Sequence, residues 1–290
     1  MEQKNATNKN VRPAATAAAP GEAKGGSAFA AIVIPLAIIV SIVIYIFVLG
    51  NGGNFVGGNN ANAALPGNYL GIVYKGGPIV PILMSLFLLV ITFSIERYLT
   101  ISKAKGSKSI ESFVRNIRQK LNVNDITGAI ATCDQQKGSV ANVVKSGLLK
   151  YQEMARERGM DKDQKVLAIQ KEIEESTALE LPMLEKNLVI ISTIASVSTL
   201  VGLLGTVFGM IKAFSALAQA GSPDAVALAE GISEALINTA IGIAGSALAI
   251  IAYNFFTSKI DELTYSIDEA GFSIIQTFAS QHGEKETYTA

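Results

Sequence analysis

Between residues 188 and 258 the chain carries polar side chains inside stretches that otherwise read as membrane-spanning. Glu234 stands directly before Ala235 to Ser258, a run without a charged residue. A carboxylate opening such a run must face protein or water rather than lipid, and there it can take up, hold or release an ion. It can also be a merely interfacial acid, since the first turn of a helix favours negative charge and the headgroup region is near. Lys212, about as deep on the preceding apolar run, either snorkels to the surface or pairs with Glu234. Hydroxyls accompany the acid. Ser192, Ser196, Thr199 and Thr206 fall on one stripe of a helix, with Leu203 completing it. Ala235, Thr239, Gly242, Ser246 and Ala249 do the same on the next. Such stripes either pack helices closely with hydroxyls bonded back to the backbone, or line a water- or ion-accessible path. Gly205 with Gly209, and Gly242 with Ser246, are small-xxx-small steps that favour packing even where a path exists.

Other chemistry is poorly represented. Cys133 is the single cysteine, too few for an internal disulfide or a metal cluster, and reads as a buried small hydrophobe. His282, the single histidine, lies in a polar tail and reads as solvated. Lys105 to Ser109 lacks the paired glycines and the Gly-Lys-Ser/Thr order of a nucleotide cradle. These residues predict no enzyme, no metal site, no cofactor and no nucleic-acid partner.

The elements that position the polar residues follow from composition. With 49% hydrophobic and 17% charged residues in 290, and a mean hydropathy of +0.36, the chain is too apolar for an ordinary soluble domain. Four charge-free runs, Ala28 to Leu49, Ile79 to Ile95, Leu188 to Ile211 and Ala235 to Ser258, are each near the roughly 20 residues that cross about 30 Å of hydrocarbon. The expected organisation is an all-α integral membrane protein with four transmembrane helices per subunit and a helical cytoplasmic domain. A disordered N-terminus (1–27) precedes an anchor helix (28–49), a Gly/Asn-rich flexible periplasmic loop (50–77) and a second span (78–96). A cytoplasmic helical domain (97–187) leads to the third span (188–218), a short periplasmic loop (219–231), the fourth span (232–258) and a C-terminal helix and tail (259–290). The first run is also open to reading as a cleaved signal peptide, but it is longer than the usual apolar core, and Ala61-Asn62-Ala63 lies too far beyond it.

Residues 97–187 carry about two thirds of the 24 basic residues, whereas the first loop has only Lys75 and the second has none. Because Lys and Arg stay inside, this predicts both termini and the large segment in the cytoplasm. There the apolar residues take helical spacing: Ile110, Phe113, Val114, Ile117 and Leu121, and then Val140, Val143, Val144, Leu148 and Tyr151. Val166, Ile169 and Ile173 lead toward the third span with only Pro182 as a strong breaker, predicting one long helix from cytoplasm into membrane. Its acids, Glu172, Glu174, Glu175, Glu180 and Glu185, read as a solvated face or as a charged vestibule of an ion path.

The run Gly202-Leu203-Leu204-Gly205-Thr206-Val207-Phe208-Gly209-Met210-Ile211, followed by Glu234-Ala235-Leu236-Ile237-Asn238-Thr239-Ala240-Ile241-Gly242, resembles the paired motifs GLxGTVxGMI and EALxxTAxGL of the ExbB/TolQ/MotA family. Glu96-Arg97 and Tyr253-Asn254-Phe255-Phe256 also match, so the resemblance covers roughly residues 78–259. Thr199 stands where the family often has Pro, and the first apolar run is an addition that most relatives lack. The resemblance implies that Thr206, Glu234 and Thr239 line an interior passage, joined on the stripes by Ser196, Thr199 and Ser246, with Gly202, Gly205, Gly209 and Gly242 in helix packing. It implies a homopentamer in the lipid of a bacterial inner membrane, surrounding an ExbD-like single-span partner whose membrane aspartate carries the proton. The apolar runs of this chain hold no aspartate, so a partner has to bring that carrier. The implied work is ExbB-like: proton motive force coupled through a TonB-like transducer to outer-membrane transport. A TolQ-like envelope motor, a flagellar or gliding stator subunit, and a passive membrane scaffold are the alternatives.

Overall fold

A computed structural model describes residues 24–218 and 224–282, so the expectations for residues 1–23, 219–223 and 283–290 lie outside the described residues. The chain is an all-α membrane protein. Its helices are α1 (Lys24–Val43), α2 (Tyr69–Tyr74), α3 (Val80–Lys105), α4 (Ile110–Asn122), α5 (Ile126–Gln136), α6 (Ser139–Arg156), α7 (Lys162–Glu185), α8 (Leu188–Leu217) and α9 (Ala225–Gln281). Four stretches, Phe29–Leu49, Gly77–Asn122, Lys162–Leu217 and Ala225–Gln281, are long and apolar enough to cross a membrane. At 57 residues α9 is about 85 Å long, far more than a bilayer needs. Its first half pairs with α8, and its second half enters the polar domain.

That domain packs as its apolar spacing dictates. Ile110, Phe113, Val114, Ile117 and Leu121 of α4 are all buried, as are Val140, Val143, Val144, Leu148 and Tyr151 of α6 and Ile169 and Ile173 of α7. They share one core with Ile260, Leu263, Ile267, Ile274 and Phe278 of α9. Cys133 is 2% exposed in the same core, and burial pushes its thiol up to about 12, which makes it inert at neutral pH.

Three features differ from expectation. The long helix into the third span is broken: α7 ends at Glu185, Asn187 takes a left-handed conformation at φ 65°, and α8 starts at Leu188. A buried arginine makes the break stable. Arg97, 2% exposed, donates to the carbonyl oxygens of Leu184 at 3.0 Å and Met183 at 3.4 Å, the last-turn acceptors that a continuous helix would have satisfied itself. Glu96 pairs with Arg97 and accepts from Asn187 Nδ2 at 3.2 Å, tying the end of the second span to the start of the third.

Second, the Gly/Asn-rich loop has a defined fold rather than reading as a loose linker. Asn54 Nδ2 donates to the carbonyls of Val48 and Leu49, Asn68 Nδ2 donates to Asn54 Oδ1, and Phe55 is buried beside Tyr74, which stacks on Tyr45 at 4.7 Å. Asparagine amides supply the backbone partners that a sheet or helix would otherwise provide. Third, α9 starts at Ala225, inside the expected loop, because the Asp224 carboxylate caps it, accepting from the backbone N–H of Val226 and Ala227 at 3.0 Å each.

Candidate functional site

The site lies on the α8/α9 hairpin, whose two helices touch through small residues. Ser198, Gly202, Gly205, Gly209, Ala213 and Ala216 form the buried face of α8, against Gly231, Ala235, Asn238, Gly242, Gly245, Ser246 and Ala249 of α9. A Cβ built on Gly202 would stand 3.0 Å from the Gly242 Cα, and one on Gly242 2.8 Å from the Gly202 Cα, so only glycine admits this approach. Ser198 Oγ donates to the Gly242 carbonyl at 3.0 Å and Ser246 Oγ to the Ala195 carbonyl at 2.6 Å, sewing the helices together.

Two polar pairs open from this contact. Thr206 and Thr239 meet hydroxyl to hydroxyl across the hairpin; one donates to the other, and the one that accepts donates back along its own helix, Thr206 to the Gly202 carbonyl at 3.3 Å or Thr239 to the Ala235 carbonyl at 3.2 Å. Toward the α9 start, Glu234 is 8% exposed and its Oε2 accepts from Lys212 Nζ at 2.9 Å. Lys212 thus pairs with Glu234 while its side chain stays half exposed. The reading of Glu234 as a first-turn acid is corrected by the earlier helix start. It lies beyond the first turn counted from Ala225, where the dipole at a helix end has faded, and it is buried against a lysine.

The other candidates are placed differently. Ser246 is buried in the hairpin, Ser196 is exposed and Thr199 is half-buried. Ser192 is half-buried and donates to the Val189 carbonyl at 3.0 Å. Glu174, Glu175 and Glu185 are exposed on α7, while Glu180 accepts from Asn142 at 3.0 Å. An open groove beside Thr206, lined by Val207, Met210, Ile211, Phe214 and Ser215, leaves an apolar face of α8 uncovered.

Two residues were missed. Ser198 belongs to the stripe 198–202–205–209, one position over from the one read as hydroxyl-rich, and the unbroken run of small residues there was the available signal. Asn238, 1% exposed, reaches across to the Gly76 carbonyl at 2.8 Å. An asparagine inside a charge-free run was its signal, but nothing local names a partner 162 positions away.

Residues 135–269 match the MotA/TolQ/ExbB proton channel family. The chain carries a MotA/TolQ/ExbB domain. It is 27% identical to the Tol-Pal system protein TolQ of Pseudomonas aeruginosa over 158 residues, 54% of this chain and 68% of that one. It is 26% identical to the biopolymer transport protein ExbB of Neisseria meningitidis serogroup A over 209 residues, 69% and 92% of the two chains. A shorter match, 40% identical over 84 residues, joins it to TolQ of Haemophilus influenzae and spans 37% of that protein. The family domain includes α8, both polar pairs and the four close-packed glycines.

Within this domain Gly205 gives a test of the packing. A Cβ there falls inside contact distance of the Asn238 side chain. Gly205→Leu is therefore expected to cost about 1–3 kcal/mol by overpacking, read as a lower unfolding temperature of the detergent-solubilised protein. An unchanged unfolding temperature would show that the hairpin gives way at this point.

Proposed function

We propose that this chain is an ExbB-like subunit of a proton-driven motor channel of the bacterial inner membrane, with both termini and the polar helical domain in the cytoplasm. Copies assemble, as a pentamer, around an ExbD-like single-span partner, and proton passage is converted into mechanical work on a TonB-like transducer. The observation that carries this reading is the pair of polar contacts, Glu234 with Lys212 and Thr206 with Thr239, held on an otherwise apolar hairpin inside the matched family domain. The open apolar groove beside Thr206 suits a partner helix or a neighbouring subunit. The Lys/Arg excess of residues 97–187 supports the orientation. Because TolQ proteins stand among the relatives, a TolQ-like envelope motor is the second reading.

The test is copurification with a co-expressed small single-span protein bearing a membrane aspartate, followed by proton flux in vesicles. Stable copurification with flux above that of either protein alone supports the motor, while flux-free, partner-free oligomers favour a scaffold. Deletion then separates the two motors: loss of TonB-dependent uptake marks the ExbB role, and a leaky envelope with intact uptake the TolQ role.

A further inference from the structure

Away from the hairpin site, a cleft between α3 and α9 combines an apolar floor with a cationic rim. Ile101 of α3, Phe256 and Leu263 of α9 and Ile110 at the start of α4, each less than a tenth exposed, form the floor. Lys105 of α3 and Lys259 of α9 line it with exposed side chains. About 190 Å³ is open between them, far more than a single water needs.

The sequence around the cleft sets its depth in the membrane. Lys259 directly follows the charge-free run Ala235 to Ser258, and Tyr98 stands about one helical turn beyond Ile95, the end of the run in α3. From Tyr98 to Lys105 the cleft covers about 10 Å of helix. A bilayer of about 40–45 Å around about 30 Å of hydrocarbon leaves roughly 5–8 Å of headgroup layer on each face, so the cleft lies where hydrocarbon gives way to water. Tyr98 and Phe255, 60% and 50% exposed, mark its hydrocarbon side, as aromatic side chains do at a membrane boundary. Charge is left over there. Glu262 is held by Lys259 at 2.7 Å, whereas Lys105 forms no ion pair among the described residues, so two lysines face one carboxylate. An ammonium has three donors, which lets Lys259 keep Glu262 and still reach a second acceptor.

We propose that this cleft binds an anionic phospholipid, its phosphate between Lys105 and Lys259 and its acyl chains leaving past Tyr98 and Phe255 into the bilayer. Each half of the cleft selects against another occupant. A soluble anion would satisfy the lysines but leave the apolar floor in water, and a neutral lipid would cover the floor but leave the extra positive charge unmatched. Basic pockets between membrane helices hold anionic headgroups for this reason, because the lipid brings the phosphate and the apolar tail in one molecule. The bound headgroup would tie α3 to α9 where both helices pass from the membrane into the polar domain. The site shares no residue with the polar pairs of the α8/α9 hairpin, so its failure would leave the reading of the ion path untouched.

The full chain is purified in detergent, equal amounts of phosphatidylglycerol and phosphatidylcholine are added, and the lipid retained per chain is read by native mass spectrometry. Wild type is expected to retain phosphatidylglycerol in preference. The double variant Lys105→Gln/Lys259→Gln is expected to lose that retention roughly tenfold or more, since each lysine near a membrane surface contributes to holding an anionic lipid. Ser102→Phe keeps both lysines and fills the cleft that Ser102 lines, and is expected to lose retention as well. Lys150→Gln/Lys171→Gln, which removes two exposed-face lysines of the polar domain, is the control and is expected to behave as wild type. Wild-type retention in Lys105→Gln/Lys259→Gln or in Ser102→Phe would overturn the site, and so would an equal loss in the control, which would mark diffuse charge attraction. Equal retention of the two lipids would reduce the cleft to ordinary bilayer contact. If inorganic phosphate raises the unfolding temperature as far as phosphatidylglycerol does, the site takes a soluble anion and the lipid assignment falls. A cryo-electron-microscopy map of the assembled complex with a neighbouring subunit's side chains filling the cleft would overturn it too.

Discussion

Replacing Glu234 by alanine is expected to leave the assembled complex intact and to abolish proton-driven transport. The two halves of that outcome have separate causes. For stability, the variant deletes a pair whose lysine side chain is 52% exposed, so Lys212 can turn to water, and after allowance for that screening the loss is about 1 kcal/mol or less. For transport, it deletes the one carboxylate buried in the α8/α9 hairpin among the described residues, and neither hydroxyls nor amides replace a group that gains and loses a proton. The measurement is energised uptake in cells lacking the native gene, beside the yield of complex in detergent. Wild-type uptake would make Glu234 a brace for Lys212. Collapse of the complex would make it a structural residue first.

The second large effect is expected at the threonine pair. Thr206→Val and Thr239→Val keep the shape of the side chain and remove one hydroxyl of the contact across the hairpin. One hydroxyl donates across the hairpin and the other to a carbonyl of its own helix that the backbone ladder already satisfies, so the stability lost is about 1 kcal/mol. Transport has less margin. A proton crossing the membrane gains about 2.3 kcal/mol per 100 mV, and an added barrier of a few kcal/mol stalls the cycle. Both variants are expected to assemble and to lose most transport, roughly tenfold or more, while Leu248→Val does little. Cysteines at 206 and 239 in a Cys133→Ser background should react with a small water-soluble thiol reagent in the assembled complex. If neither introduced cysteine reacts, the passage-facing placement of this pair is wrong.

Much of the architecture was legible because membrane and core burial both act on composition and spacing. Four charge-free runs give four apolar helices, since a bilayer leaves an isolated chain segment no other way to satisfy its backbone. The stripes of α4 and α6 gave their buried faces residue by residue, because a helix about two residues out of phase, roughly half a turn, would put leucine and phenylalanine in water. Helix ends were less legible. The start of α9 was read too late because Ala225 to Gly231 is weakly apolar and includes Glu230, although Asp224 was an adequate cap. The break at Asn187 was missed because what stabilises it, Arg97, comes from another helix.

The sequence by itself determined the membrane class, the four spans, the amphipathic faces of the polar domain, and the paired motifs that place Thr206, Glu234 and Thr239 on two successive helices. Periodicity and composition are local quantities, and they say which face of an element is apolar and which residue is out of place there. Only the tertiary structure decided the partners. It joined Lys212 to Glu234, set Thr206 against Thr239, folded the Gly/Asn-rich segment into a cap, and brought the Gly76 carbonyl to Asn238. Such pairings depend on how two helices cross, which the small-xxx-small spacing along each segment permits but does not specify. A buried polar side chain announces only that a partner must exist.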